Sequence, residues 1–139
     1  MTEYKNNLSY MFQEYSWEYF LTLNTETRDY TWMEQMLDYW RCNIRKYRKL
    51  DMGYQGVFNK YKNPHIHLLV NFSPSPTEQD IEKLKFYWSN ISHRNLDIRK
   101  IYDVDGLIEY LSYQNTPYNN FELVKPIGTK GYLKKYQLN

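Results

Sequence analysis

The chain has 139 residues and one cysteine, which allows one compact domain but neither two independent hydrophobic cores nor an internal disulfide. No apolar run approaches the roughly 20 residues that span a bilayer, and no signal-peptide pattern is visible, so we expect a soluble, cytoplasmic protein without membrane contact. Aromatic residues make up 19%, and the net charge of +2 hides a basic excess after residue 40. Both features suit a tyrosine-rich core, and both also suit a surface that stacks bases and neutralises phosphates.

The first predicted elements are a strand and a helix. Alternating apolar residues predict the strand over 17–23. Thr31 and Glu34 have the spacing of a capping box, and apolar residues at helical intervals follow to about residue 49. The second half of this helix is basic, which fits a phosphate-binding surface or simply a solvated helix face. The residues expected to contact DNA are Arg41, Arg45, Lys46 and Lys49.

The middle of the chain predicts a β-hairpin and a second helix. Residues 54–60 and 64–71 read as two strands that a polar turn joins. Prolines then interrupt the pattern, and Thr77 with Asp80 marks the start of a helix.

The last third of the chain predicts a strand, a helix and a basic extension. The strand covers 96–102, and Asp103 is the expected N-cap of a helix over 104–114. Residues 118–139 are mixed and basic, and they fit either a strand or an extended arm. The resulting order, β-α-β-β-α-β-α, predicts a single α+β domain with a mainly antiparallel central sheet and packed helices.

His65 and His67 carry the clearest chemical signal. Because side chains alternate along a strand, both imidazoles project from one face and can offer neutral nitrogens to a metal ion. A hairpin turn centred on Tyr61 places Gln55 opposite His67, whereas a one-step change of register offers Asn59 instead. The sequence therefore predicts a divalent metal site in which an amide oxygen is the third ligand.

The predicted third helix supplies candidate nucleophiles. Tyr110 and Gln114 are four residues apart and therefore share a helix face, and Tyr113 lies near it. A tyrosine hydroxyl can attack a phosphodiester when a metal ion polarises the phosphate. The alternative is that Tyr110 is a core aromatic residue.

Three segments together resemble a known family. FLTLN (20–24), PHIHLLV (64–70) and EYLSYQ (109–114) resemble the three motifs of the HUH endonucleases. These comprise the Rep proteins of rolling-circle plasmids and single-stranded DNA viruses, those of archaeal rod-shaped viruses, relaxases and single-strand transposases. The resemblance covers roughly residues 17–115, and residues 118–139 lie beyond it as a basic C-terminal extension.

The resemblance implies a replication initiator that nicks single-stranded origin DNA and keeps the 5′ phosphate on a tyrosine. It assigns Mg²⁺ or Mn²⁺ to His65 and His67, the nucleophile to Tyr110, and an additional metal ligand to Gln114. Rep proteins often have a lysine where this chain has Tyr113, which leaves Tyr113 as an alternative or second nucleophile. The implied partners are origin DNA, a second copy in a homodimer, and host replication proteins.

Three other interpretations remain open at this point. Gln114 and the small size also fit a single-strand DNA transposase of the same superfamily. Many Rep proteins carry a glutamate near the position of Val57, so a catalytically inactive module that binds single-stranded nucleic acid is a further candidate. A zinc site would have to combine both histidines with His93 and Cys42, whose spacing matches no familiar zinc motif.

Overall fold

The computed structural model describes residues 17–60, 62–103, 105–107 and 121–128. The regular elements in chain order are β1 (Tyr19–Asn24), α1 (Tyr30–Arg48), β2 (Asp51–Asn59), β3 (His65–Ser73), α2 (Glu78–Ser92), β4 (Leu96–Lys100) and β5 (Phe121–Ile127).

The five strands form one antiparallel sheet in the order β4-β1-β3-β2-β5. β3 lies at the centre, between β1 and β2, and every residue between its two ends is buried. Burial on both faces explains why its sequence is a nearly continuous apolar run rather than a strict alternation. The predicted α+β class with an antiparallel sheet and packed helices is confirmed.

Both helices pack on one face of the sheet and enclose the hydrophobic core. The core-facing strand residues include Leu21, Ile66 and Leu68, and they cluster with Trp40 of α1 and Trp88 of α2. The two indole rings meet edge to face at 6.0 Å, a favoured aromatic arrangement. Neither of the helices described by the structure is both long and apolar enough to cross a membrane.

Two similar capping patterns were predicted for the N-termini of the helices, and only one of them is present. The predicted capping box at Thr31 is wrong: the N-cap of α1 is Asp29, whose carboxylate accepts hydrogen bonds from the backbone N–H groups of Thr31 and Trp32. The prediction at Thr77 is confirmed, since Thr77 and Asp80 form a reciprocal capping box on α2. The Asp29 carboxylate already accepts from the first free N–H groups of the helix, so α1 begins at Tyr30 and Thr31 lies within its first turn.

The end of the chain is described in part. After β4, Asp103 accepts hydrogen bonds from Gly106 and Leu107, as an N-cap would, and residues 105–107 are helical. The rest of the predicted third helix, with Tyr110, Tyr113 and Gln114, lies outside the described residues. For residues 118–139 the sequence fitted either a strand or an extended arm. Part of this segment is a strand, β5, which pairs with β2.

Candidate active site

β3 presents His65 and His67 on the sheet face opposite to the two helices. Their neighbours Ile66 and Leu68 point into the helix-covered core, so the alternation along the strand sends the imidazoles to the other side. The two ring centroids are 4.5 Å apart, and the ring planes are inclined at 70°. The predicted pairing of the two imidazoles on one face is therefore present.

A backbone carbonyl fixes the orientation of His65. Its Nδ1 lies 2.9 Å from the carbonyl oxygen of Asn63, which can only accept a hydrogen bond, so Nδ1 carries the proton and Nε2 the lone pair. Nε2 is buried and has no hydrogen-bond partner among the described residues. A buried acceptor without a partner is costly, and a metal ion would satisfy it.

His67 is held more tightly because it is only 3% exposed. Its Nδ1 lies 3.1 Å from the hydroxyl oxygen of Thr22, the residue directly opposite on β1. The ring of Phe20 stacks on the imidazole with centroids 5.0 Å apart. If Nδ1–H donates to Thr22, then Nε2 of His67 is also an acceptor, as metal ligation requires.

The register of the hairpin corrects one prediction. Gln55 lies opposite Leu69, and Asn59 lies opposite His65, so the expected pairing of Gln55 with His67 is wrong. The hairpin turn is centred on Lys62, one residue later than predicted. Lys62 has a φ of 58°, which is a left-handed backbone conformation typical of tight turns.

Two amide side chains, those of Gln55 and Asn59, are therefore the described candidates for a third metal ligand. Gln55 is a diagonal neighbour of His67 across the strands, and its Oε1 is buried without a hydrogen-bond partner among the described residues. Asn59 is buried directly opposite His65. Within the described part of the chain, no three His, Cys, Asp or Glu side chains form a metal-binding group.

The same finding overturns the zinc interpretation. His93 is the C-cap of α2, and Cys42 is exposed on α1. All four side chains of that hypothesis belong to described residues, and they do not form a metal-binding group with one another.

A basic cleft adjoins the histidines at one end of the sheet. It has a volume of about 510 Å³, and Asn63, which holds His65, contributes to its wall. The cleft carries the cationic side chains of Arg28, Lys62 and Arg94. Arg28 donates to the carbonyl oxygens of Lys60 (3.2 Å) and Lys62 (2.6 Å), so its guanidinium is fixed beside the hairpin turn. Such a surface suits a phosphate chain.

The four residues predicted to bind DNA lie elsewhere. All of them belong to the second half of α1 or follow it, near the start of β2, whereas His65 pairs with the last residue of β2. The eight residue-to-residue steps from one end of β2 to the other correspond to roughly 26 Å along the strand. Arg45, Lys46 and Lys49 are exposed on the helix side of the sheet. The structure does not bring them together with the histidines.

Arg41 has a different environment from the other three. It is 22% exposed, and its guanidinium lies 3.8 Å from the Asp38 carboxylate. Burial raises the pKa of the Tyr54 phenol, and a hydrogen bond from Arg41 acts in the opposite direction. Arg41 therefore packs and pairs within the helix–sheet interface.

The residues that orient the histidines and line the cleft were not predicted from the sequence. The alternation of FLTLN could have placed Phe20 and Thr22 on one face, but their pairing with β3 depended on the strand order. Arg28, Lys62 and Arg94 are in connecting segments without a periodic pattern, so only the fold collects them.

A comparison of the chain with protein-family models, curated proteins and solved structures finds no match. The resemblance to HUH endonucleases therefore stays a prediction.

Proposed function

We propose that this protein is a metal-dependent single-strand DNA endonuclease that nicks DNA and joins the 5′ phosphate to one of its tyrosines. The observation that carries the proposal is the histidine pair: two adjacent imidazoles on one sheet face, each with Nδ1 beside an oxygen atom. This is the arrangement by which proteins orient histidine ligands, since the second nitrogen is then directed to the metal.

The residues present fit a divalent ion. The buried Nε2 of His65 and the buried Oε1 of Gln55 are both acceptors on the histidine face, and neither has a hydrogen-bond partner within the described part of the chain. Asn59 offers a further oxygen atom opposite His65. Gln114, which lies outside the described residues, is the additional ligand that the motif resemblance implies. A mixed imidazole and oxygen set accepts Mn²⁺ or Mg²⁺, and the bound ion would polarise the phosphate that is attacked.

Tyr110 is the proposed nucleophile, with Tyr113 as the alternative. β4 and β5 form opposite edges of the sheet, and residues 101–120 connect them. Tyr110 stands near the middle of this connection in sequence, and the motif resemblance makes it the proposed nucleophile. The tyrosine oxygen would bond to phosphorus and lose its proton, while the bond from phosphorus to the 3′ oxygen breaks and that oxygen gains a proton.

The basic cleft gives the DNA strand a path to the histidines. Arg28, Lys62 and Arg94 would contact phosphates, which explains three cations beside a candidate phosphodiester site. Arg94 is also paired with Glu26 at 3.0 Å, so it would exchange one anionic partner for another.

The replication role rests on the motif resemblance. FLTLN lies in β1, PHIHLLV enters β3, and both border the same site. An HUH-type element order and nicking at a replication origin are part of the proposal, and transposition by the same chemistry is the alternative.

Mn²⁺ titration with His variants tests the proposed site. His65→Ala and His67→Ala should lose binding of Mn²⁺, followed by electron paramagnetic resonance, and should also lose cleavage of a randomised single-stranded oligonucleotide pool. His93→Asn is the matched control, because His93 has a φ of 61° that asparagine tolerates and does not belong to the pair. If wild-type protein binds the pool without Mn²⁺ and never cleaves it, the chain is a binding module and the nuclease proposal is wrong.

A further inference from the structure

The outer surface of the helix layer carries a cluster of aromatic and basic side chains. Tyr47 of α1 and Phe86 of α2 are 58% and 53% exposed, which is high for large aromatic rings. Tyr87 lies between them, with ring centroids 6.2 Å from Tyr47 and 5.9 Å from Phe86. The three rings form a continuous aromatic surface that spans both helices.

A lysine accompanies each exposed ring. Nζ of Lys46 lies 5.2 Å from the Tyr47 centroid, and Nζ of Lys83 lies 5.2 Å from the Phe86 centroid. We call these two lysines together with Tyr47, Phe86 and Tyr87 the aromatic–lysine patch.

The charge around the patch is positive. The last turn of α1 contributes Arg45 as well as Lys46, whereas Arg48 is already paired with Asp80 at 2.9 Å. Glu82 lies beside Lys83 in α2 and offsets only part of this charge. The patch therefore attracts an anionic partner.

We propose that the aromatic–lysine patch is a second binding surface for single-stranded nucleic acid, separate from the histidine site. Exposed aromatic rings offer stacking platforms to unpaired bases, and lysines beside them neutralise the connecting phosphates. A duplex keeps its bases stacked inside and cannot use the rings in this way. The proposal does not rest on the nuclease activity, because this surface needs no metal and lies on the helix side of the sheet.

Binding of a fluorescein-labelled dT20 oligonucleotide to the full chain in EDTA tests the proposal by fluorescence anisotropy. Tyr47→Ala and Phe86→Ala should each weaken binding about fivefold or more, the lower range for loss of one stacked base. Tyr47→Phe keeps the ring and should retain affinity. Tyr39→Ala is the matched control, since Tyr39 is 60% exposed on the same helix outside the patch.

The contribution of the two lysines to binding is measured by its salt dependence. Lys46→Gln and Lys83→Gln should each reduce the slope of log affinity against log salt by about 0.7, as expected for one phosphate contact to a single strand. Wild-type affinity in the Tyr47→Ala and Phe86→Ala variants would overturn the proposal. An equal loss in Tyr39→Ala, or an equal loss of affinity for a duplex, would also overturn it. None of these measurements depends on cleavage, so failure here and failure of the nuclease proposal are distinguishable.

Discussion

At the scale of single residues, the site is defined by how each imidazole is oriented. The Asn63 carbonyl fixes the tautomer of His65 and leaves its buried Nε2 without a described hydrogen-bond partner. Thr22 and Phe20 hold His67 from two sides. A buried acceptor of this kind calls for a partner, and a metal ion is the partner that we propose.

Thr22 should act as a positioning residue for metal binding. Thr22→Val keeps the shape of the side chain but removes the oxygen near Nδ1 of His67. We expect Mn²⁺ affinity to fall about 10- to 100-fold, the usual effect of losing such a partner, with an unchanged fold. Thr22→Ser should restore affinity. Equal Mn²⁺ titrations for the valine variant and wild type would contradict this role.

At the scale of elements, β2 and β3 approach closely beside the histidines. A Cβ atom at Gly56 would overlap the backbone carbonyl oxygen of His67, which cannot move without shifting the strand. The absence of a side chain at Gly56 is therefore a condition for the position of His67.

Gly56→Ala should consequently damage both the fold and the site. We expect the free energy of unfolding to fall by about 2 kcal/mol or more, measured by urea denaturation, together with weaker Mn²⁺ binding. Gly106→Ala is the comparison, because the nearest described atoms to its added methyl group belong to the Asp103 carboxylate, a side-chain end rather than backbone. A Gly56→Ala variant as stable as wild type would show that the strands can separate at little cost.

A salt bridge between Arg48 at the end of α1 and Asp80 in the first turn of α2 connects the two helices. Burial raises the pKa of the Asp80 carboxyl, but hydrogen bonds from the Thr77 backbone and the Arg48 guanidinium outweigh it, so the pKa lies below its usual range. A carboxyl group with a lowered pKa stabilises the fold above its unfolded pKa of about 3.9, and this stabilisation is lost as the pH falls through the lower, folded value.

Acid denaturation should therefore report on Asp80. Asp80→Asn should lower the free energy of unfolding at neutral pH by about 1–3 kcal/mol, because it removes a charge-assisted hydrogen bond and part of the α2 cap. Below about pH 4 the difference from wild type should shrink. Chemical denaturation at several pH values measures both effects, and a difference that stays constant down to pH 2 would contradict the assignment.

At the scale of the whole molecule, the sheet separates two surfaces. One face carries the histidine pair, with the basic cleft at its end, and the helix layer on the other face carries the aromatic–lysine patch. A strand of nucleic acid long enough to contact both would have to pass around an edge of the sheet.

Local patterns were sufficient to predict much of this architecture. The apolar run of β3 and the capping box at Thr77 are short-range signals, and the structure has both. The start of α1 was misplaced because two capping patterns competed within three residues of each other. The hairpin register and the pairing of β5 depend on contacts between distant residues, and sequence periodicity does not specify those. The cleft was missed for the same reason.

Mass spectrometry of the protein after incubation with a single-stranded oligonucleotide pool and Mn²⁺ tests the proposed nuclease chemistry directly. We expect a covalent adduct whose tryptic peptide carries the DNA on Tyr110, or on Tyr113 as the alternative, and which His67→Ala does not form. DNA that is bound but never attached, or an adduct on a residue other than these two tyrosines, would contradict it.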